Sequence, residues 1–234
     1  MFENFDLQSY LIRLFVLFLS VSVHEWAHAY TAYKQGDDTS MHLGRVTLNP
    51  MKHFEPFGLM LILLRAPIAW GKPVPVNPNR FRRDLNRKNA MLKVSLAGIS
   101  MNLLLAFVSV ALYYVLELIV IFTAIMPGTV VFNVLMVISR ILLSLFSANV
   151  GLAVFNLLPV PPLDGFELIN RFLPEPWSYW MQDNERNIGM VFMLFIVFFN
   201  NQFGAFLSTI IYPVMLVLEW PWAKLAELIL SSFL

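Results

Sequence analysis

His24-Glu25-Trp26-Ala27-His28 places two imidazoles and a carboxylate within five residues. On a helix, residues four apart share a face, so both histidines can hold one metal ion. Glu25 lies beside the pair, where it can take a proton from water at that ion. The bland alternative is a pair of histidines that cap or pack a helix. A catalytic zinc usually has three protein ligands and one open position, so two histidines leave the set incomplete. Asp164, at the end of Asn156-Leu157-Leu158-Pro159-Val160-Pro161-Pro162-Leu163-Asp164-Gly165, is one candidate for the third. Its alternative is an Asp-Gly turn at a surface. His42 and His53 are the other imidazoles and could equally be ligands; composition does not choose among them.

The elements that must position these groups are apolar. Of 234 residues, 58% are hydrophobic and 13% charged, against about 45–50% and about 25% in a soluble domain. Mean hydropathy is +0.67. This excludes a disordered protein, a nucleic-acid-binding domain and an ordinary soluble enzyme, and leaves a polytopic membrane protein. The absence of cysteine excludes disulfides, thiolate ligands and thiol redox chemistry.

The first apolar stretch covers residues 7–33, long enough to cross a hydrocarbon core of about 30 Å. It lacks a basic start and a small-residue cleavage site, so it does not read as a signal peptide. It contains the His-Glu-His cluster. Three ionisable groups inside a span are costly and are read as functional by default, which sets the packing alternative aside. A polar segment, 34–55, follows; within it 43–48 shows partial strand alternation. Residues 56–70 form an apolar run broken by Arg65 and Pro67, too short for a span and expected to be re-entrant. The prolines of 71–76 allow only an edge strand.

Longer apolar stretches cover 90–125 and 129–158, joined by the turn Met126-Pro127-Gly128. After a polar segment, 159–186, come apolar runs at 188–199 and 203–220, separated by Asn200-Asn201-Gln202. The last dozen residues read as an amphipathic helix, with Trp220 and Trp222 as interfacial anchors. Between Lys34 and Lys93 lie 11 of the 16 basic residues, so that loop is expected in the cytoplasm and the amino terminus outside. Parity then brings Asp164 to the same depth as His24 and His28, although 136 residues separate it from His28.

Taken in order, these motifs resemble the site-2 protease family of intramembrane zinc metalloproteases, in its compact branch without a PDZ or CBS domain. His24 to His28 matches the family's zinc motif on the first core helix. Gly44-Arg45-Val46-Thr47-Leu48-Asn49-Pro50-Met51-Lys52-His53 and Gly71-Lys72-Pro73-Val74-Pro75-Val76-Asn77 match the two stretches that follow. Asn156 through Gly165 matches the Asn-x-x-Pro…Leu-Asp-Gly motif, whose Asp is the family's third zinc ligand. Two departures stand out. Ala97-Gly98-Ile99-Ser100-Met101-Asn102 lacks a proline that the family often has, and Glu55-Pro56 stands where Asp-Pro is common. Neither touches a presumed ligand.

The resemblance implies an all-α polytopic membrane protein with about five transmembrane helices, a re-entrant segment and a short β-ribbon from 43–48 and 72–76. The resemblance reaches to about Asn170; with the length and the apolar runs, one membrane domain over 1–234 is expected, with a core at 7–170 and C-terminal helices at 187–234. One zinc ion per chain is expected on His24, His28 and Asp164, with Glu25 as general base. Asn102 is a candidate donor to the substrate carbonyl or its oxyanion, or else a polar helix contact. His53 either lines the site or holds a turn. The implied reaction is peptide-bond hydrolysis in or near transmembrane segments of membrane proteins. The expected partners are those substrates and the bilayer; no nucleic acid and no particular oligomer is implied. The expected location is a prokaryotic inner membrane, with the active site toward the cytoplasm. Two rivals remain at this point. A metal-ion transporter or channel would also use intramembrane His, Glu and Asp, but no paired halves are visible. An inactive zinc scaffold fits poorly with an intact Glu25.

Overall fold

A computed structural model of the chain describes residues 6–54 and 72–233. Helix α1, Leu7–Lys34, starts where the Asp6 carboxylate accepts the Gln8 backbone N–H at 3.0 Å, satisfying one of the orphan amides of the first turn. It ends at Gly36, whose φ of +105° suits glycine alone. A Cβ there would also lie 3.0 Å from the Arg82 side chain and 3.1 Å from its backbone nitrogen. A short helix, α2 (Thr39–His42), and two 3-10 turns at Pro50–Lys52 and Pro78–Arg80 occupy the polar loop.

Helix α3, Arg87–Thr123, is capped by Asn86, whose side chain accepts the Asn89 N–H. With 37 residues it is about 55 Å long, well beyond the hydrocarbon thickness. Helix α4, Val130–Asn156, begins at Thr129, whose hydroxyl accepts the Phe132 N–H. The short helices α5 (Phe166–Asn170) and α6 (Glu175–Asp183) follow, then α7 (Glu185–Phe198) and α8 (Asn200–Ser231).

Helix α3 is the hub: α1, α4, α8 and α5 all pack on it, and α1 also packs on α4. Ala106 and Val110 of α3 meet Phe146, Val150 and Val154 of α4, and α8 covers them with Leu207, Ile211, Val214 and Leu218. Two polar contacts cross these interfaces. Asn149, fully buried, donates to the Ser20 hydroxyl at 2.8 Å and to the Leu145 carbonyl at 2.8 Å. The Tyr114 hydroxyl donates to Glu219 at 2.8 Å. With lipid as apolar as leucine, such contacts and close packing hold helices together.

Among the described residues four helices are long and apolar enough to cross a membrane: α1, α3, α4 and α8. In α1 33% of the most apolar window is buried, against 6% in α8, so the His-Glu-His helix is innermost and α8 peripheral. Five spans were expected. The run at 188–199 falls in α7, whose 14 residues reach only about 21 Å, short of a crossing. Conversely, α8 runs unbroken through Pro213 and Pro221, joining the run at 203–220 to the expected terminal helix. The expected re-entrant segment lies outside the described residues. The stretches 43–48 and 72–76 carry no strand ladder among the described residues.

Candidate metal centre

Helix geometry alone puts His24 and His28 on one face of α1, and both are buried. Their rings meet edge to face with centroids 4.4 Å apart, and their Nε2 atoms are 2.9 Å apart. Asp164 arrives from the other end of the core. Its Oδ2 is 3.3 Å from His24 Nε2 and 3.2 Å from His28 Nε2. These three form a group whose ligand atoms all lie within 4.8 Å of one another.

The return of Asp164 depends on a glycine. After α4 the chain folds back so that the Gly165 N–H donates to the Asn156 carbonyl at 2.6 Å. A Cβ on Gly165 would sit 2.1 Å from the Leu157 carbonyl oxygen and 2.5 Å from that of Leu158. No residue with a side chain fits, so Asp-Gly here is a loop closure and not an ordinary surface turn.

The face of α3 opposite the histidines supplies one support per turn. His28 Nδ1 lies 2.8 Å from the Val94 carbonyl oxygen. A carbonyl only accepts, so Nδ1 carries a proton, and in the neutral ring Nε2 presents its lone pair. One turn on, Gly98 leaves room for both rings. A Cβ there would stand 2.5 Å from His28 Cε1 and 2.6 Å from His24 Cε1. A further turn on, the fully buried Asn102 places Nδ2 3.3 Å from His24 Nδ1.

The lone pairs of His28 Nε2 and of the carboxylate therefore converge on one point beside His24 Nε2, and Asp164 Oδ2 is buried without a hydrogen-bond partner. Acceptors facing acceptors need a cation between them. An ion with tetrahedral bonds of about 2.0–2.1 Å separates its ligands by about 3.3 Å, which matches both Asp164 distances, while the two Nε2 atoms, 2.9 Å apart, stand closer than that. The chemistry of the donor set fits zinc.

Glu25 Oε2 accepts the Val74 N–H at 2.9 Å. That amide belongs to an extended strip, 72–77, held along one edge by side chains. Arg45 donates to the Pro73 carbonyl at 2.8 Å and Ser40 to the Pro75 carbonyl at 2.6 Å. The Asn77 N–H donates to Asp37 at 2.6 Å. Asp37 is fully buried, and its carboxylate also takes the Thr39 N–H and hydroxyl.

The two remaining histidines stand outside the ligand group. His53 is fully buried with Nε2 2.7 Å from the Thr47 carbonyl, and its own carbonyl accepts the Lys72 N–H at 2.8 Å. It holds the loop together. His42 is exposed and sits 3.0 Å from Asp38. The Arg80 guanidinium, and then His42, hold the Asp38 carboxyl below its ordinary value. Sequence reading missed four supports. The Val94 carbonyl and Val74 amide are backbone groups and carry no signal in residue type. The needs of Gly98 and Gly165 for space lay inside motifs already noticed.

A helical membrane-type core that wraps His24, His28 and Asp164, with Glu25 next to His24 in sequence, has the make-up of a metalloprotease centre. The family follows directly: the model of peptidase family M50 matches residues 12–200, and the chain belongs to that family, the site-2 proteases. It is 36% identical over 214 residues to "Putative zinc metalloprotease YwhC" of Bacillus subtilis (strain 168), covering 90% of this chain and 87% of that protein. No solved structure matches. Family membership sets the transporter reading aside.

Proposed function

We propose that this metalloprotease hydrolyses peptide bonds within or beside transmembrane segments of membrane proteins. The observation that carries the reading is the convergence of three buried ligand atoms, from His24, His28 and Asp164, between helices long enough to cross a membrane. One zinc ion per chain, when bound there, supplies a Lewis acid that polarises the scissile carbonyl and acidifies a water. Glu25 is the general base. The Val74 amide fixes one of its carboxylate oxygens and leaves the other to accept the water proton and hand it to the leaving amine.

The strip at 72–77 is the place for the substrate. Helical carbonyls are hydrogen-bonded and shielded, so a transmembrane substrate must unwind before attack. Pro73 and Pro75 hold the residues before them extended, and an extended chain turns alternate residues to opposite edges. Arg45, Ser40 and Asp37 occupy the edge of Pro73, Pro75 and Asn77. The other edge carries Val74, bound to Glu25, and Val76, whose N–H and carbonyl have no hydrogen bond among the described residues. An unwound substrate can pair with this edge as an added strand. This is the form that the expected β-ribbon takes in the proposal.

The basic loop supports an active site toward the cytoplasm, with the amino terminus outside, and a prokaryotic inner membrane fits that arrangement. The test is Glu25→Gln in the purified, reconstituted protein. Zinc content should stay at the wild-type value while cleavage of a transmembrane substrate falls by at least about 1,000-fold. Near-normal cleavage by this variant would remove Glu25 from the mechanism.

A further inference from the structure

We infer that Asn102 is a positioning residue for the metal: its carboxamide oxygen accepts the proton on Nδ1 of His24 and so frees Nε2 of that ring to ligate. The inference rests on the zinc reading above and assigns Asn102 to the metal ligand, not to the substrate oxyanion.

An imidazole that ligates through Nε2 in its neutral form carries its proton on Nδ1, and a buried Nδ1–H needs an acceptor. For His28 that acceptor is the Val94 carbonyl at 2.8 Å. For His24 the group at Nδ1 is the Asn102 side chain, at 3.3 Å. The two ends of a carboxamide have nearly the same shape, so the proton inventory decides which one faces the ring. With nitrogen inward, Nδ1 would have to be bare and His24 Nε2 would carry the proton toward Asp164; the outward end of the carboxamide has no partner among the described residues whichever atom stands there, so the ring decides. With oxygen inward, His24 and His28 acquire the same tautomer, and both Nε2 atoms turn lone pairs toward Asp164.

The placement supports the same reading. Val94, Gly98 and Asn102 recur every four residues and form one stripe on α3. The first accepts from one histidine, the second makes room for both, and the third meets the other histidine. Asn102 is fully buried with its amide on the ring.

The experiment measures zinc affinity by chelator competition on full-length protein in detergent, for wild type, N102A and N102D. Substrate cleavage and the visible spectrum of the cobalt-substituted forms are recorded beside it. N102A should bind zinc about 10–100-fold more weakly and shift the cobalt bands. N102D presents only acceptors to Nδ1–H. It should restore zinc affinity to within a few-fold of wild type and keep the wild-type cobalt bands. An oxyanion donor would behave otherwise: N102A would bind zinc normally with a reduced kcat, and N102D would be the worse of the two. Normal zinc affinity in N102A overturns the inference, and so does failure of N102D to restore it in a protein with wild-type helical content. A wild-type protein that binds no zinc overturns the metal reading itself, a result distinguishable from either.

Discussion

Gly98 shows how far a site can depend on an atom that is absent. Its missing Cβ is where the imidazole edges of His24 and His28 lie, at 2.5–2.6 Å, so Gly98→Ala should push both ligands off their positions. The expected outcome is zinc affinity lowered at least about tenfold, read by chelator competition, with helical content unchanged by circular dichroism. Asp164→Ala should lose more, since two imidazoles alone hold zinc poorly. Metal analysis after dialysis should find most of the zinc gone. Full occupancy in that variant would point to a third ligand outside the group, and His53, pinned to Thr47, would have to be released to serve. The side chains of the site were legible because His, Glu and Asp are costly inside a span and their spacing is helical. Asp164 was legible only through the motif around it, because nothing in its local composition separates a ligand from a turn. Backbone partners such as the Val94 carbonyl leave no trace in residue type.

At the level of elements, α1, α3 and α4 could be read from their apolar runs, and their caps fall on residues with the chemistry to cap: Asp6, Asn86 and Thr129. The C-terminal part was less legible, because hydropathy does not say where one helix ends. A polar Asn-Asn-Gln reads as a turn, yet it forms the first turn of α8, and the break between α7 and α8 falls at Phe199. The run at 203–220 and the terminal amphipathic helix read as two elements, yet one helix continues through Pro213 and Pro221, as lipid-embedded helices can. The strip at 72–77 forms no strand ladder among the described residues because its prolines lack N–H groups and side chains take up one edge. That leaves Val76 as the sharpest test of strand addition. Val76→Pro removes one N–H from the edge facing Glu25 and should raise KM for a transmembrane substrate about three- to tenfold, about the worth of one hydrogen bond. Zinc content should not change. An unaltered KM would place the substrate elsewhere.

For the molecule as a whole, orientation can be tested on a chain that contains no cysteine. Three exposed positions, Asp84, Asp183 and Met126, can each be replaced by cysteine. The first two should react with an impermeant thiol reagent only in inside-out vesicles, and the third only from outside. Labelling of Asp84→Cys in intact cells would reverse the topology and move the cut to the other face. The stripe of Val94, Gly98 and Asn102 has one more consequence. Three successive turns of one helix must stay opposite a pair of rings on another, so the two helices work as a vernier. A slip of α3 by a single residue would turn the stripe by about 100° and set side chains where the rings now lie. The metal centre can then form at one mutual register of α1 and α3, and any force that slides these helices past each other, from lipid or from an arriving substrate, would reach the ligands directly.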